Sequence, residues 1–229
     1  LFPDTTYGCE SGGDPKNIPD LTYENFLNFH RTYYHPSNSY IYLYGNMDME
    51  EKLAFLDEHY LSHFDYLDVD SVIQEQKAFG ACQDVTLEYP VAENEGEEDN
   101  TYLSYNMVVG NAADSQMAMA FEVLDYALLS APGAPLKQAL LDVKAGKDVY
   151  GSYDDGILQP YFTVIAKGSN PDRKEEFVSV IRRVLGDIVK NGIDKKAVEA
   201  GINYFEFRYR EADFSSYPKG LMYSLDILG

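Results

Sequence analysis

The chain has 229 residues, 45% of them hydrophobic and 24% charged, with 20 Tyr, 12 Phe and no Trp. That balance excludes a disordered chain and leaves room for one large domain or two smaller ones. With 18 basic against 38 acidic side chains the net charge is −20; this excludes nucleic acid as a partner, because phosphates need clustered Lys and Arg, and argues against docking on anionic lipid.

The opening Leu1-Phe2-Pro3-Asp4 carries neither the basic nor the apolar stretch of a signal peptide. With no apolar run as long as a membrane span, a cytoplasmic setting without membrane insertion is expected. The missing initiator Met predicts a piece of a longer chain. Residues 1–20 are rich in Gly, Pro and Asp and predict an ordered loop. Thr22 is the N-cap of a helix bearing Phe26, Leu27, His30 and Tyr34 at helical spacing, which ends before Pro36. Ser39-Tyr40-Ile41-Tyr42-Leu43-Tyr44 then predicts a short strand closed by Gly45-Asn46. A second helix opens at Asp48 and repeats Met49, Leu53, Leu56 and Tyr60. Residues 64–83 lack periodicity and are expected to connect two units.

Val85-Thr86-Leu87-Glu88-Tyr89 alternates as a strand does, and Thr101 to Val109 predicts another. Between them lies Glu93-Asn94-Glu95-Gly96-Glu97-Glu98-Asp99. Residues 61–100 hold 11 acidic and 1 basic side chains, half of the whole excess. This run predicts a solvated hairpin loop; a cation site there would lack calcium-loop spacing. Asp114 caps a helix with Met117, Phe121, Leu124 and Leu128 on one face, broken at Pro132-Gly133-Ala134-Pro135. A short helix follows from Leu136 to Val143, then strands at Asp148–Tyr153 and Tyr161–Ala166 joined by Asp154-Asp155-Gly156. Asn170-Pro171 starts a helix with Pro at its first position, stopped by Asn191-Gly192. Asp194 caps the next helix, and a last one starts near Pro218. Four strands with grouped helices predict an α+β layer rather than an alternating parallel sheet. The first unit, with one strand and two helices, is too little sheet to stand alone.

The search for chemistry is short because there are four histidines. His59 and His63 are placed at i, i+4 with Glu58 just before, a spacing that suits zinc. Both inner-Glu zinc motifs fail, since Tyr60, Leu61 and Ser62 fill the interval; the pair is read as incidental. His30 and His35, five apart, are expected to serve packing or the helix end. No nucleophile elbow, phosphate loop or dinucleotide fingerprint occurs, and Ser11 has no local His. Cys9 and Cys82, 73 residues apart, make no disulfide framework or zinc motif and predict reduced thiols, in weak agreement with the absence of any Asn-x-Ser/Thr acceptor.

One stretch is more specific. Asp4-Thr5-Thr6-Tyr7-Gly8, Ser11-Gly12-Gly13-Asp14-Pro15 and Ile18-Pro19-Asp20-Leu21-Thr22-Tyr23-Glu24 lead into Phe29-His30-Arg31-Thr32-Tyr33-Tyr34-His35-Pro36-Ser37-Asn38 and close on Tyr40-Ile41-Tyr42-Leu43-Tyr44-Gly45-Asn46. It resembles the pitrilysin and insulysin clan of zinc metallopeptidases, most closely the presequence-protease, falcilysin-like subfamily. The likeness is dense over residues 1–46 and continues more loosely through Ala131–Leu136 and Phe214–Leu221.

The resemblance implies an α+β metallohydrolase fold, mainly antiparallel sheet with helices on one face, in a parent that degrades unfolded peptides inside a closed chamber. It implies that residues 1–65 are the C-terminal part of the catalytic-type first domain, 66–83 a connection, and 84–229 the non-catalytic second domain, truncated at its end. The H-x-x-E-H zinc motif would then lie upstream of Leu1, and no cofactor is expected on this segment. Nothing here matches the family's metal ligands, His59 and His63 included, so the segment alone is expected to be inactive. Its expected partners are unfolded peptides, cationic ones favoured by the acidic charge, and the parent's remaining domains. Tyr7, Gly8, Ser11, Gly12 and Gly13 are the candidate cleft loop, which either borders the substrate or makes a tight structural turn. The competing expectation is a stand-alone peptide-binding or scaffold module of the same fold.

Overall fold

The computed structural model describes every residue except Glu95, Ala212, Asp213 and Gly229, and not the side chain of Asp226. The chain divides into two compact units. One is Glu75–Asp213 with Leu1; the other combines Phe2–Gln74 with Phe214–Gly229. The last helix thus groups with the N-terminal residues.

In the 75–213 unit, β1 (Thr101–Val108), β2 (Asp148–Asp154) and β3 (Tyr161–Ser169) form an antiparallel sheet in the order β1-β3-β2. Register pairs Tyr105 with Val164 and Gly151 with Val164, so Leu103, Val149, Val164 and Ala166 share the buried face. The third, fourth, fifth and sixth helices of the chain belong to this unit: α3 (Ser115–Asp125), α4 (Pro135–Asp142), α5 (Lys174–Asn191) and α6 (Lys195–Glu211). Leu136 and Leu140 of α4 and Phe177, Val180 and Ile181 of α5 close a core with that sheet face. Their i, i+4 spacing places each pair on one helical face.

Capping explains the helix ends. The Asp114 carboxylate accepts from the Met117 amide, while Gly192 at φ +87° stops α5 with its N–H on the Ile188 carbonyl. Asp194 accepts from the Lys196 amide at 2.9 Å and opens α6. After Asp125 the helix widens into a π turn over Tyr126–Ser130, which the sequence does not mark, closed by the Ala131 amide on the Tyr126 carbonyl at 2.7 Å.

In the other unit, α1 (Tyr23–Tyr33) and α2 (Met49–His59) are capped by Thr22 and Asp48 as predicted, and α7 (Lys219–Leu228) follows Pro218. Gly220 of α7 sits against the Tyr44 ring, and the Tyr42 hydroxyl donates to the Gly220 carbonyl at 3.3 Å. This seat is why the last helix groups with the N-terminal residues.

Two predicted strands do not form. Residues 39–44 and 85–89 carry no ladder, so the described sheet has three strands rather than four. Strand character belongs to a pair, and alternation alone supplies only one member. The acidic run is also less free than predicted. Asp99 accepts from Asn170 at 2.7 Å and pairs with Lys147 at 3.3 Å; Glu95 of that run lies outside the described residues.

Candidate functional site

The predicted cleft loop is ordered by its own backbone. Thr5 caps a 3-10 turn over Thr6–Gly8, accepting from the Tyr7 amide at 3.3 Å. Phe2 is buried and meets the Tyr7 ring edge-on at 6.0 Å. Gly8 is required by close approach: a Cβ there would lie 2.6 Å from the Phe2 carbonyl oxygen. Gly13, at φ +87°, packs under Ile18. The loop encloses an open hollow of about 510 Å³ lined by Tyr7, Gly8, Cys9, Glu10, Asp14 and Asn17. The structure thus brings Tyr7 and Gly8 to the hollow, whereas Ser11, Gly12 and Gly13 do not line it.

The histidine pair does not share a helix face. The first helix of that region ends at His59, Tyr60 leaves helical geometry at φ −138° and ψ −65°, and His63 belongs to a separate 3-10 turn. His59 packs on the Phe55 ring at 4.7 Å. Among the described residues no group of three or more His, Cys, Asp or Glu stands together as a metal-binding set. The described donors therefore do not fit a zinc centre. Cys9 and Cys82 are both free and exposed.

Two carboxyl groups escaped the sequence reading. Glu122 and Asp125 sit one turn apart at the end of α3, and their E-x-x-D spacing on an otherwise apolar helix was the available signal. Burial pushes the Glu122 carboxyl up from its ordinary range, against the hydrogen bond it accepts from Tyr209 at 2.9 Å. Burial together with that bond pushes the Tyr209 hydroxyl up to about 12. Burial likewise raises Asp125, whose Oδ2 accepts from Ser130 at 3.0 Å while its buried Oδ1 has no partner. Perturbed carboxyls become site candidates when a cleft reaches them. Neither Glu122 nor Asp125 lines the hollow above or a second one of about 330 Å³ that includes Asp99, Tyr102, Lys147 and Lys167.

Asp125 therefore makes a stability prediction. Its raised folded pKa means that the folded state binds the proton more tightly than the unfolded one. Stability is lost as pH rises from the unfolded value, about 3.9, through the folded value, and the full penalty is present above it. Asp125→Asn removes the charge and is expected to stabilise the unit by about 1 kcal/mol at pH 7. The gain should fade toward pH 4. Urea unfolding at both pH values checks this; an equal loss at both would show that the carboxylate is satisfied.

The arrangement is an α+β domain accompanied by a helical, loop-rich unit. Residues 20–205 match the family described as the Peptidase M16 inactive domain. The chain belongs to the M16 peptidase family, of the pitrilysin clan, and is of the inactive type. It is 48% identical over 228 residues to Protein HypA of Clostridium perfringens, covering 100% of this chain and 23% of that protein. It is 36% identical over 225 residues to Presequence protease 1, chloroplastic/mitochondrial, of Arabidopsis thaliana, covering 96% of this chain and 21% of that protein. A putative M16-like peptidase from Alicyclobacillus acidocaldarius shares the fold at a TM-score of 0.57 and 20% identity, over 89% of this chain and 47% of that one. The chain thus spans under a quarter of the length of these curated relatives. No described helix is long and apolar enough to cross a membrane.

Proposed function

We propose that this chain is a non-catalytic segment of a zinc metalloendopeptidase that degrades unfolded peptides in a closed chamber. Residues 1–65 are the end of its catalytic-type first domain, 66–83 a connection, and 84–229 its second domain. The observation that carries the reading is the 36% identity, over 225 residues, to a presequence protease. Among the described residues no group of three or more His, Cys, Asp or Glu stands together, and the reading places the metal elsewhere in the parent. The segment's part is then wall and substrate contact, with Tyr7 and Gly8 at the hollow as the first candidates. The excess of 11 acidic over 1 basic side chains at 61–100 favours cationic peptides by focusing the field. A cytoplasmic compartment is proposed, supported by two exposed free thiols.

The 229-residue chain with added zinc is expected to leave unstructured peptides intact. The full polypeptide of its reading frame should cleave them and lose that activity to a chelator. Chelator-sensitive cleavage by the 229-residue chain would overturn the assignment.

A second reading is a stand-alone peptide-binding module. It is favoured by β1, which pairs only with β3 among the described strands and leaves one sheet edge open to strand addition. A reading frame lacking H-x-x-E-H would select it.

A further inference from the structure

We propose that Gln159 is the latch of a strap. Its carboxamide grips the backbone at Gln76, where the connecting segment enters the 75–213 unit, and release of that grip is the step that makes the Lys77–Ala78 bond cleavable. The proposal concerns this unit alone and does not depend on the peptidase reading.

The segment itself creates the need for a latch. Between His63 and Thr101 the described residues form no helix or strand, so neither a ladder nor helical turns hold that backbone. So long a stretch without secondary structure is uncommon in a compact domain unless it serves a function. The two compact units divide between Gln74 and Glu75. Both of the first two residues past that division are held by side chains of the sheet domain.

Gln159 holds the second of them by its backbone. The Gln76 N–H donates to Gln159 Oε1 at 2.6 Å, and Gln159 Nε2 donates to the Gln76 carbonyl at 3.3 Å. A carboxamide carries an acceptor and a donor side by side, so one side chain exchanges both bonds with one residue, as the opposite residue of an antiparallel pair does. The Gln76 side chain is 7% exposed, and its Nε2 donates to the Lys77 carbonyl at 3.3 Å. Next to it, Asn111 Nδ2 donates to Glu75 Oε1 at 2.8 Å, while Asn111 Oδ1 accepts from the Ala113 amide at 3.0 Å.

The latch is firmly mounted. The Val109 amide donates to the Pro160 carbonyl at 2.8 Å and the Ala112 amide to the Leu158 carbonyl at 3.0 Å, which continues the β1–β3 pairing past both strand ends. Gln159 lies between these two bound residues, and Pro160 is fully buried. The strap is therefore the part that moves. Lys77, the one basic residue in 61–100, is exposed. A protease can reach its side chain, but it takes substrate by strand addition, through backbone N–H and C=O groups. At Gln76 those groups are already engaged, so cleavage after Lys77 follows the population in which the latch has opened.

Trypsin digestion of the full polypeptide of its reading frame, with the fragments identified by mass spectrometry, tests this. Cleavage after Lys77 is expected to be at least about 10-fold faster in Gln159→Ala and in Gln159→Met than in the wild type, the effect of two lost hydrogen bonds. Met keeps the length and bulk of the side chain but offers no N–H and only a weak acceptor. Hydrogen exchange of the β3 and α5 amides should stay within about twofold of wild type, which separates release of the strap from loosening of the domain. Equal cleavage rates in wild type and the Met variant would overturn the proposal, because packing rather than the two bonds would then hold the strap. So would acceleration matched by faster exchange throughout β3 and α5, or wild-type cleavage after Lys77 as fast as that of an unstructured peptide of the same residues.

Discussion

Phe177→Ala is expected to destabilise the 75–213 unit by about 4 kcal/mol, the range of a buried Phe truncated where the surroundings relax only in part. Phe177 is 1% exposed and lies in the first turns of α5, within the cluster that joins Leu136 and Leu140 of α4 to the sheet. Two rigid layers meet at this ring, so neither collapses into the space without breaking its own hydrogen bonds. In urea the transition of this unit should move to lower concentration by roughly 2 M with its slope kept. Tyr fluorescence and hydrogen exchange together separate this unit from 2–74. A cost below about 1 kcal/mol would show that the site refills, and that the core is far looser than this packing implies.

Gly151→Ala carries the second largest effect, and its sign is informative. In a strand interior, replacing Gly by Ala ordinarily gains about 0.5–1 kcal/mol from reduced chain entropy. Here a Cβ would stand 2.2 Å from Leu129 Cδ1, 2.8 Å from Asp125 Oδ1 and 2.9 Å from the Thr163 carbonyl oxygen. Leu129 is itself fully buried, and Thr163 belongs to the central strand. The expected result is a loss of about 3 kcal/mol from overpacking. Adding Leu129→Ala should return part of it, because the two changes share one space, and a double-mutant cycle measures that coupling. A stabilised single variant would mean that α3 and its π turn ride freely over the sheet.

Much of the fold was legible because local signals carried it. Thr22, Asp48, Asp114 and Gly192 mark helix ends through bonds made within a few residues, and the stripe on α5 needs no partner to be recognised. What escaped depends on residues far apart in sequence. Residues 39–44 alternate like a strand but find no ladder. Gly151 is explained by Leu129 and Asp125, and the placement of α7 by Tyr42 and Tyr44. The π turn at Tyr126–Ser130 has no sequence mark at all. The candidate site divides in the same way. Tyr7 and Gly8 reach the hollow, Ser11, Gly12 and Gly13 stay outside it, and the Glu122–Tyr209 bond joins two helices whose proximity no spacing reveals.

The strand order has a consequence for how the sheet assembles. The strand made last, β3, is the central one. Its pairing with β2 is local, since Asp154 faces Tyr161 across a short turn. The β1 strand must wait, because Val108 faces the same Tyr161 only after α3, α4 and β2 have been made. A chain leaving the ribosome therefore carries β1 unpaired on both edges while more than half of the sheet's residues are still to come. Closing that long loop costs entropy before any ladder repays it. Through that interval an unpaired, aromatic-rich strand is the part of the nascent chain most open to wrong partners. The acidic run just ahead of it emerges first and carries like charge on every copy, a repulsion that opposes close approach of neighbouring nascent chains.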